Sequence, residues 1–94
     1  MDEVEVKGRV PVRNGDVVWQ VLEGECVILN PIDGTYFGLN GVGLFFWEKV
    51  DGTRTVGEIT ELLFNEYAVD RATLSRDIPE LVEAMLDQNL LRLT

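Results

Sequence analysis

The chain contains no histidine and a single cysteine, Cys26, and Ser75 is its lone serine. These absences remove Ser-His-Asp and Cys-His catalysis and every Cys/His zinc pattern. One cysteine cannot close an internal disulfide, so nothing points to an oxidising compartment. Basic residues are scarce as well, with 8 Lys and Arg against 17 Asp and Glu and a net charge of -9. Nucleic-acid binding draws most of its non-specific affinity from Lys and Arg, so phosphate backbones are repelled and no nucleic-acid partner is expected. No apolar run approaches the roughly 20 residues that cross a bilayer, so no membrane partner is expected either. The start, Met1 to Val10, is acidic and lacks an apolar stretch, unlike a signal peptide; the expected location is cytoplasmic. Gly38, Gly41 and Gly43 form no phosphate-cradling loop with a lysine. Asp51-Gly52-Thr53 reads as a turn and not a calcium loop, so neither cofactor nor metal is expected. Carboxylates are the one plentiful reactive group. None sits in an evidently apolar setting that would raise its pKa, and the chain is not expected to be an enzyme.

What is present suits one small domain. The 94 residues are 46 % hydrophobic, enough for a packed core. Residues 1–14 alternate weakly at Val4, Val6, Val10 and Val12 and read as an extended N-terminal arm. Asn14-Gly15-Asp16 signals a turn. Val17–Leu22 reads as a strand apolar on both faces except at Gln20, hence at least partly covered on both. Glu23-Gly24-Glu25 makes a short hairpin loop, Cys26–Asn30 a second strand, and Pro31–Gly34 a turn. Cys26, among Val27, Ile28 and Leu29, reads as a small buried hydrophobe. Thr35–Leu39 is the third strand, thinly covered at Gly38.

Three helices follow. The first is capped by Asn40 and runs from about Gly41 to Val50, with Val42, Phe46 and Val50 on one stripe. Asp51-Gly52 stops it. Thr55-Val56-Gly57-Glu58 is a capping box that opens the second, whose buried face is Val56, Ile59, Leu62, Leu63 and Tyr67. Asp70 opens the third, which carries Leu74, Ile78, Leu81, Val82, Met85 and Leu86 and stops near Asn89. Pro79 lies inside it and leaves the Ser75 carbonyl without its helical donor. One bent helix is expected, with a break at Ser75–Asp77 as the alternative. The tail, Leu90–Thr94, is expected as a short extended segment against the core. The fold class is therefore α+β, winged-helix-turn-helix-like, a three-stranded antiparallel sheet followed by three helices. Residues 1–14 form the arm and residues 15–94 the domain.

A winged helix suggests DNA, but residues 70–89 hold Asp70, Asp77, Glu80, Glu83 and Asp87 against Arg71 and Arg76. That charge has the wrong sign for a recognition helix. Peptide capture fits better. The third strand has a free edge unless the arm covers it, and an extended peptide can add there as a further strand. Main-chain hydrogen bonds at Thr35, Tyr36, Phe37, Gly38 and Leu39 would hold it. Apolar anchors would enter near Leu74, Ile78 and Leu81, and Asp77 would engage basic peptide residues. Tyr36, Phe37, Ile78 and Leu81 are alternatively ordinary core.

Four segments carry a family likeness: TYFGLNGVGLFFW, DGTRTVGEI, LLFNEYAVD and RDIPELVEAML. In order and spacing the chain from about Val17 to Leu93 resembles the PqqD family, the RiPP recognition elements, and in particular the stand-alone members of lasso-peptide clusters. The resemblance implies a non-catalytic, winged-helix-like domain that binds the leader of a ribosomally made precursor peptide along its third strand and against its third helix. It implies delivery to a maturation enzyme, in lasso pathways a transglutaminase-like cysteine leader peptidase. The alternatives are a PqqD-like peptide chaperone for a radical-SAM enzyme and an acidic winged-helix regulatory or interaction protein.

Overall fold

The computed structural model describes residues 6–94; the first part of the expected arm, residues 1–5 with Val4, lies outside the described residues. Among the described residues Val6 and Lys7 are helical, so the expected arm is not extended there, and five strands and three further helices follow in the order β1 (Pro11–Arg13), β2 (Val18–Leu22), β3 (Glu25–Leu29), β4 (Tyr36–Asn40), α1 (Gly41–Lys49), α2 (Val56–Glu66), α3 (Arg71–Asp87) and β5 (Leu91–Leu93). Strands β2, β3 and β4 form an antiparallel meander, and β1 pairs with β5 in a separate antiparallel ribbon. This is the α+β, winged-helix-like arrangement that the sequence leads one to expect.

Turn chemistry sets the meander's register. Glu23 and Gly24 take φ of 54° and 79°, the pair of positive values that a tight two-residue hairpin turn requires, and Leu22 lies opposite Glu25. The next turn is tied by Asn30 and Asp33. The Asn30 carboxamide oxygen accepts from the Ile32 N–H at 3.0 Å, and the Asp33 carboxylate accepts from the Thr35 N–H at 3.0 Å and from its hydroxyl at 2.7 Å. These bonds hold Thr35 in the turn, so the strand begins at Tyr36 and runs one residue past the expected end, to Asn40. Gly41, with φ of 50°, then turns the chain into α1 with no loop between. Asn40 occupies the cap position, but its side chain makes no capping bond.

Helix α2 carries the capping box in full: the Thr55 hydroxyl accepts from the Glu58 N–H and the Glu58 carboxylate from the Thr55 N–H. Asp70 caps α3 through the Thr73 N–H at 2.8 Å. Pro79 lies within α3, which is one continuous helix, so a break at Ser75–Asp77 is excluded. The arm and the tail take each other as partners. Pro11 faces Leu93 and Arg13 faces Leu91, and main-chain bonds join Val10 to Thr94 in both directions, at 3.2 and 2.9 Å. Arg13 reaches on to α1, where its guanidinium donates to the Trp47 carbonyl at 2.6 and 3.1 Å and lies 4.9 Å from the Trp19 ring. A cation at the carbonyl end of a helix is favourably placed.

The core lies between the inner face of the meander and the three helices. Cys26, Ile28, Phe46, Trp47, Ile59, Leu63, Ile78, Val82 and Met85 are all at most 1 % exposed. Two burial expectations fail. Helices α1, α2 and α3 pack on one side of the sheet, and on the other face of β2 Val18 and Leu22 are 61 % and 63 % exposed. Leu62 stands on the edge of the α2 stripe, 36 % exposed, because Leu63 and Ile59 already fill that contact.

The turn after α1 has a pH signature. The Asp51 carboxylate accepts from the Thr53 and Arg54 N–H groups at 2.9 and 3.0 Å and from the Thr53 hydroxyl at 2.9 Å. Chiefly the two main-chain donors hold its pKa at about 2, below the ordinary 3.8. A depressed folded-state pKa contributes stability above the unfolded value and loses it as pH falls through the folded one. Thermal unfolding of wild type and Asp51→Asn should therefore differ at neutral pH, with wild type higher. The gap should narrow below the ordinary value of 3.8 and vanish through about 2.

Candidate functional site

Among the described residues, nothing pairs with one side of β4. Within the described residues the meander order is β2-β3-β4, so β4 is an edge strand. The described part of the arm does not cover it, since β1 is held by β5. The Asn30 N–H donates to the Thr35 carbonyl at 2.9 Å, and those two residues continue the register in which Ile28 faces Phe37 and Cys26 faces Leu39. Antiparallel pairing alternates, so Phe37 and Leu39 direct their main-chain groups to β3. Tyr36 and Gly38 direct theirs outward, to the open edge. The side chains divide the same way: Leu39 is buried and Phe37 half-buried on the inner face, and Tyr36 is 75 % exposed on the outer one.

Helix α3 stands across from that edge, and between them runs an open groove of about 520 Å³. Phe37, Gly38, Leu39 and Asn40 line one wall, Asp77, Ile78 and Leu81 the other, and Val42 and Gly43 close the end. Ile78 is both core and floor at 1 % exposed, and Leu81 is half-buried on the wall. Asp77 is the one charged lining residue. It is paired with Arg76 at 3.1 Å on the exposed helix surface, and its hydrogen bond raises the arginine's pKa. The groove can therefore hold apolar side chains along its length and a polar or cationic group near Asp77, while the outward main-chain groups of β4 offer hydrogen bonds along one side.

Six of the nine residues singled out from the sequence meet here: Phe37, Gly38, Leu39, Asp77, Ile78 and Leu81. Three do not line the groove. Thr35 is held in the turn by Asp33, and Tyr36 projects to the outer face. Leu74 is 2 % exposed in the core and touches a separate cavity of about 190 Å³ beside Phe64 and Arg71. Asn40, Val42 and Gly43 line the groove without having been singled out for it. The absence of any loop between β4 and α1 is the signal that could have found them, because it forces the first helical turn against the strand end. At Gly43 a β-carbon would lie 3.0 Å from the Leu39 Cδ2, so a side chain there would require that methyl group to give way by a few tenths of an ångström. No cluster of His, Cys, Asp or Glu able to hold a metal occurs among the described residues. None of their helices is long and apolar enough to cross a membrane.

A winged-helix-like domain with an open strand edge beside a helix-walled apolar groove is the class that fold and site define. Residues 25–91, more than half of the chain, match the family of coenzyme PQQ synthesis protein D, and the chain belongs to this PqqD family. Two solved structures share its fold. One is described as TbiB1 in complex with the TbiA(beta) leader peptide; it is 33 % identical, with a TM-score of 0.78 over 86 % of this chain and 94 % of that one. The other is lasso peptide synthetase B1 complexed with the leader peptide, 20 % identical, with a TM-score of 0.76 over 87 % of this chain and 96 % of that one. No curated protein sequence matches the chain significantly.

Wall and floor should separate in stability. Ile78→Ala empties a fully buried site and should cost about 2–4 kcal/mol, whereas Leu81→Ala should cost less than about 2 kcal/mol. Urea denaturation of both variants measures the difference. Equal losses would place Leu81 in the core and not on the wall.

Proposed function

We propose that the protein is a non-catalytic adaptor that binds the leader segment of a ribosomally made precursor peptide, of the lasso type, by strand addition at β4. The outward main-chain groups of Tyr36 and Gly38, facing a groove walled by α3, carry this reading. A guest strand beside β4 satisfies those groups and places alternate side chains in the groove, against Phe37, Ile78 and Leu81. Asp77 takes a basic residue of the guest. The likeness to TbiB1 bound to a leader peptide supports the reading, and so does membership of the PqqD family. The adaptor then presents the captured precursor to a maturation enzyme, a transglutaminase-like cysteine leader peptidase. The acids at Asp77, Glu80, Glu83 and Asp87 on α3 argue against a DNA-binding role for that helix.

The test begins with selection of binders from an mRNA-displayed library of random 20-residue peptides. The tightest is then titrated into ¹⁵N-labelled protein. The amide signals of Tyr36, Gly38 and Asp77–Leu81 should shift together. Saturation that leaves Tyr36 and Gly38 unmoved, or a library with no binders, overturns the proposal. Gly38→Pro removes an outward donor and leaves the β3 pairing intact. It should weaken the selected peptide at least about tenfold, or about 1.4 kcal/mol, in a protein whose circular dichroism is unchanged.

A further inference from the structure

Gly38 is not required by the fold. It sits mid-strand, where glycine has no side chain to pack and carries an entropic cost. Its φ is not left-handed, and a β-carbon built on it would meet nothing within 4 Å. Neither backbone strain nor crowding inside this chain explains it. Its consequence lies on the outer face of the sheet. There the missing side chain leaves a notch of about 200 Å³, lined by Glu25, Cys26, Val27, Gly38, Leu39 and Asn40. Cys26 and Leu39 turn their side chains to the core, so the outer walls are Glu25, Val27 and Asn40. Val27 lies directly across from Gly38 and is 51 % exposed, and Glu25 lies across from Asn40. Glu25 makes no ion pair among the described residues.

We infer that this notch is a second side-chain subsite, which takes an Arg or Lys of the bound peptide beside Gly38. The inference rests on the strand-addition reading and extends it. A strand added to β4 sends alternate side chains to opposite faces, so the residues flanking a groove anchor point outward. The residue beside Gly38 points out on the same face as Val27. Strands lie about 5 Å apart, so a long side chain can cross the bare backbone at Gly38 and lay its aliphatic stem on Val27. Its cationic head then reaches Glu25, on the diagonal. A β-carbon or larger group at position 38 would block that path. The groove selects apolar anchors and the notch selects a cation one residue away, so the two faces of the edge together read an alternating pattern.

The test repeats the mRNA-display selection on wild type, Gly38→Val and Glu25→Gln. Valine keeps the outward N–H and points its side chain away from the groove, so the selection reads which residue is preferred beside position 38 among the peptides that still bind. Wild type should enrich Arg or Lys at one position adjacent to a conserved apolar residue. Gly38→Val should keep the apolar position and lose the cation. Glu25→Gln should reduce the preference of Arg and Lys over Leu at least fivefold. In the wild-type complex the Val27 methyl signals should shift. Peptides that move the Tyr36 and Gly38 amides but show the same preference on Gly38→Val, or leave the Val27 methyls unmoved, overturn the subsite and spare the strand-addition reading. Peptides that leave the β4 amides unmoved overturn both. A dimer in sedimentation that the selected peptide does not dissociate assigns this face to a second copy and overturns the subsite.

Discussion

An unpaired row of main-chain donors and acceptors survives in a folded protein only while no segment of its own chain can reach it. Here the described part of the N-terminal arm is already committed. Strand β1 pairs with β5, Val10 and Thr94 exchange main-chain bonds, and the Val56 N–H donates to the Arg9 carbonyl. The Arg9 guanidinium donates in turn to the Thr94 and Leu93 carbonyls. The ribbon ties β1 to β5, and Arg13 of β1 lies over the Trp19 ring of β2. Among the described residues strand β2 is also an edge strand, but β4 differs in having α3 facing it across a groove. Main-chain bonds alone give little selectivity; an edge with a wall beside it can discriminate among guests.

The groove is built from residues that the core needs anyway. Leu39 and Ile78 are nearly fully buried and still form its lining. The site is therefore as rigid as the core, and a guest meets a surface that is already formed. On the proposed reading, the ordering cost of capture falls on the flexible peptide and not on the domain. Such economy matters in a small chain, where an ancillary pocket would subtract from a modest hydrophobic total.

Local chemistry was legible in the sequence and long-range placement was not. The capping box at Thr55, the Asp70 cap, the hairpin at Glu23-Gly24 and the three-strand, three-helix order all follow from near neighbours. Thr35 defeats a propensity reading, because a β-branched residue that suits a strand is captured two residues back by Asp33. The apolar stripe of α3 was visible, but not which part of it faces the strand. One turn of helix sends Ile78 to the groove and Leu74 to the cavity beside Phe64. No local signal announces that Pro11 lies opposite Leu93. Nor could the two apolar faces of β2 say which one the helices would cover.

That uncovered face has a physical cost, and the acidity of the chain offsets it. Val18, Val27, Leu29 and Tyr36 stand exposed on the outer side of the meander, with Ile32 beside them in the turn at 77 %. A flat apolar sheet face next to an open edge is what promotes association between copies. A net charge of -9 on so small a domain sets repulsion against that association. The same field draws cationic segments towards the molecule, so a basic stretch in a guest peptide shares the attraction while a second copy shares the repulsion. Under the strand-addition proposal, charge that looks unspecific in the sequence thus sorts the two competitors for the edge.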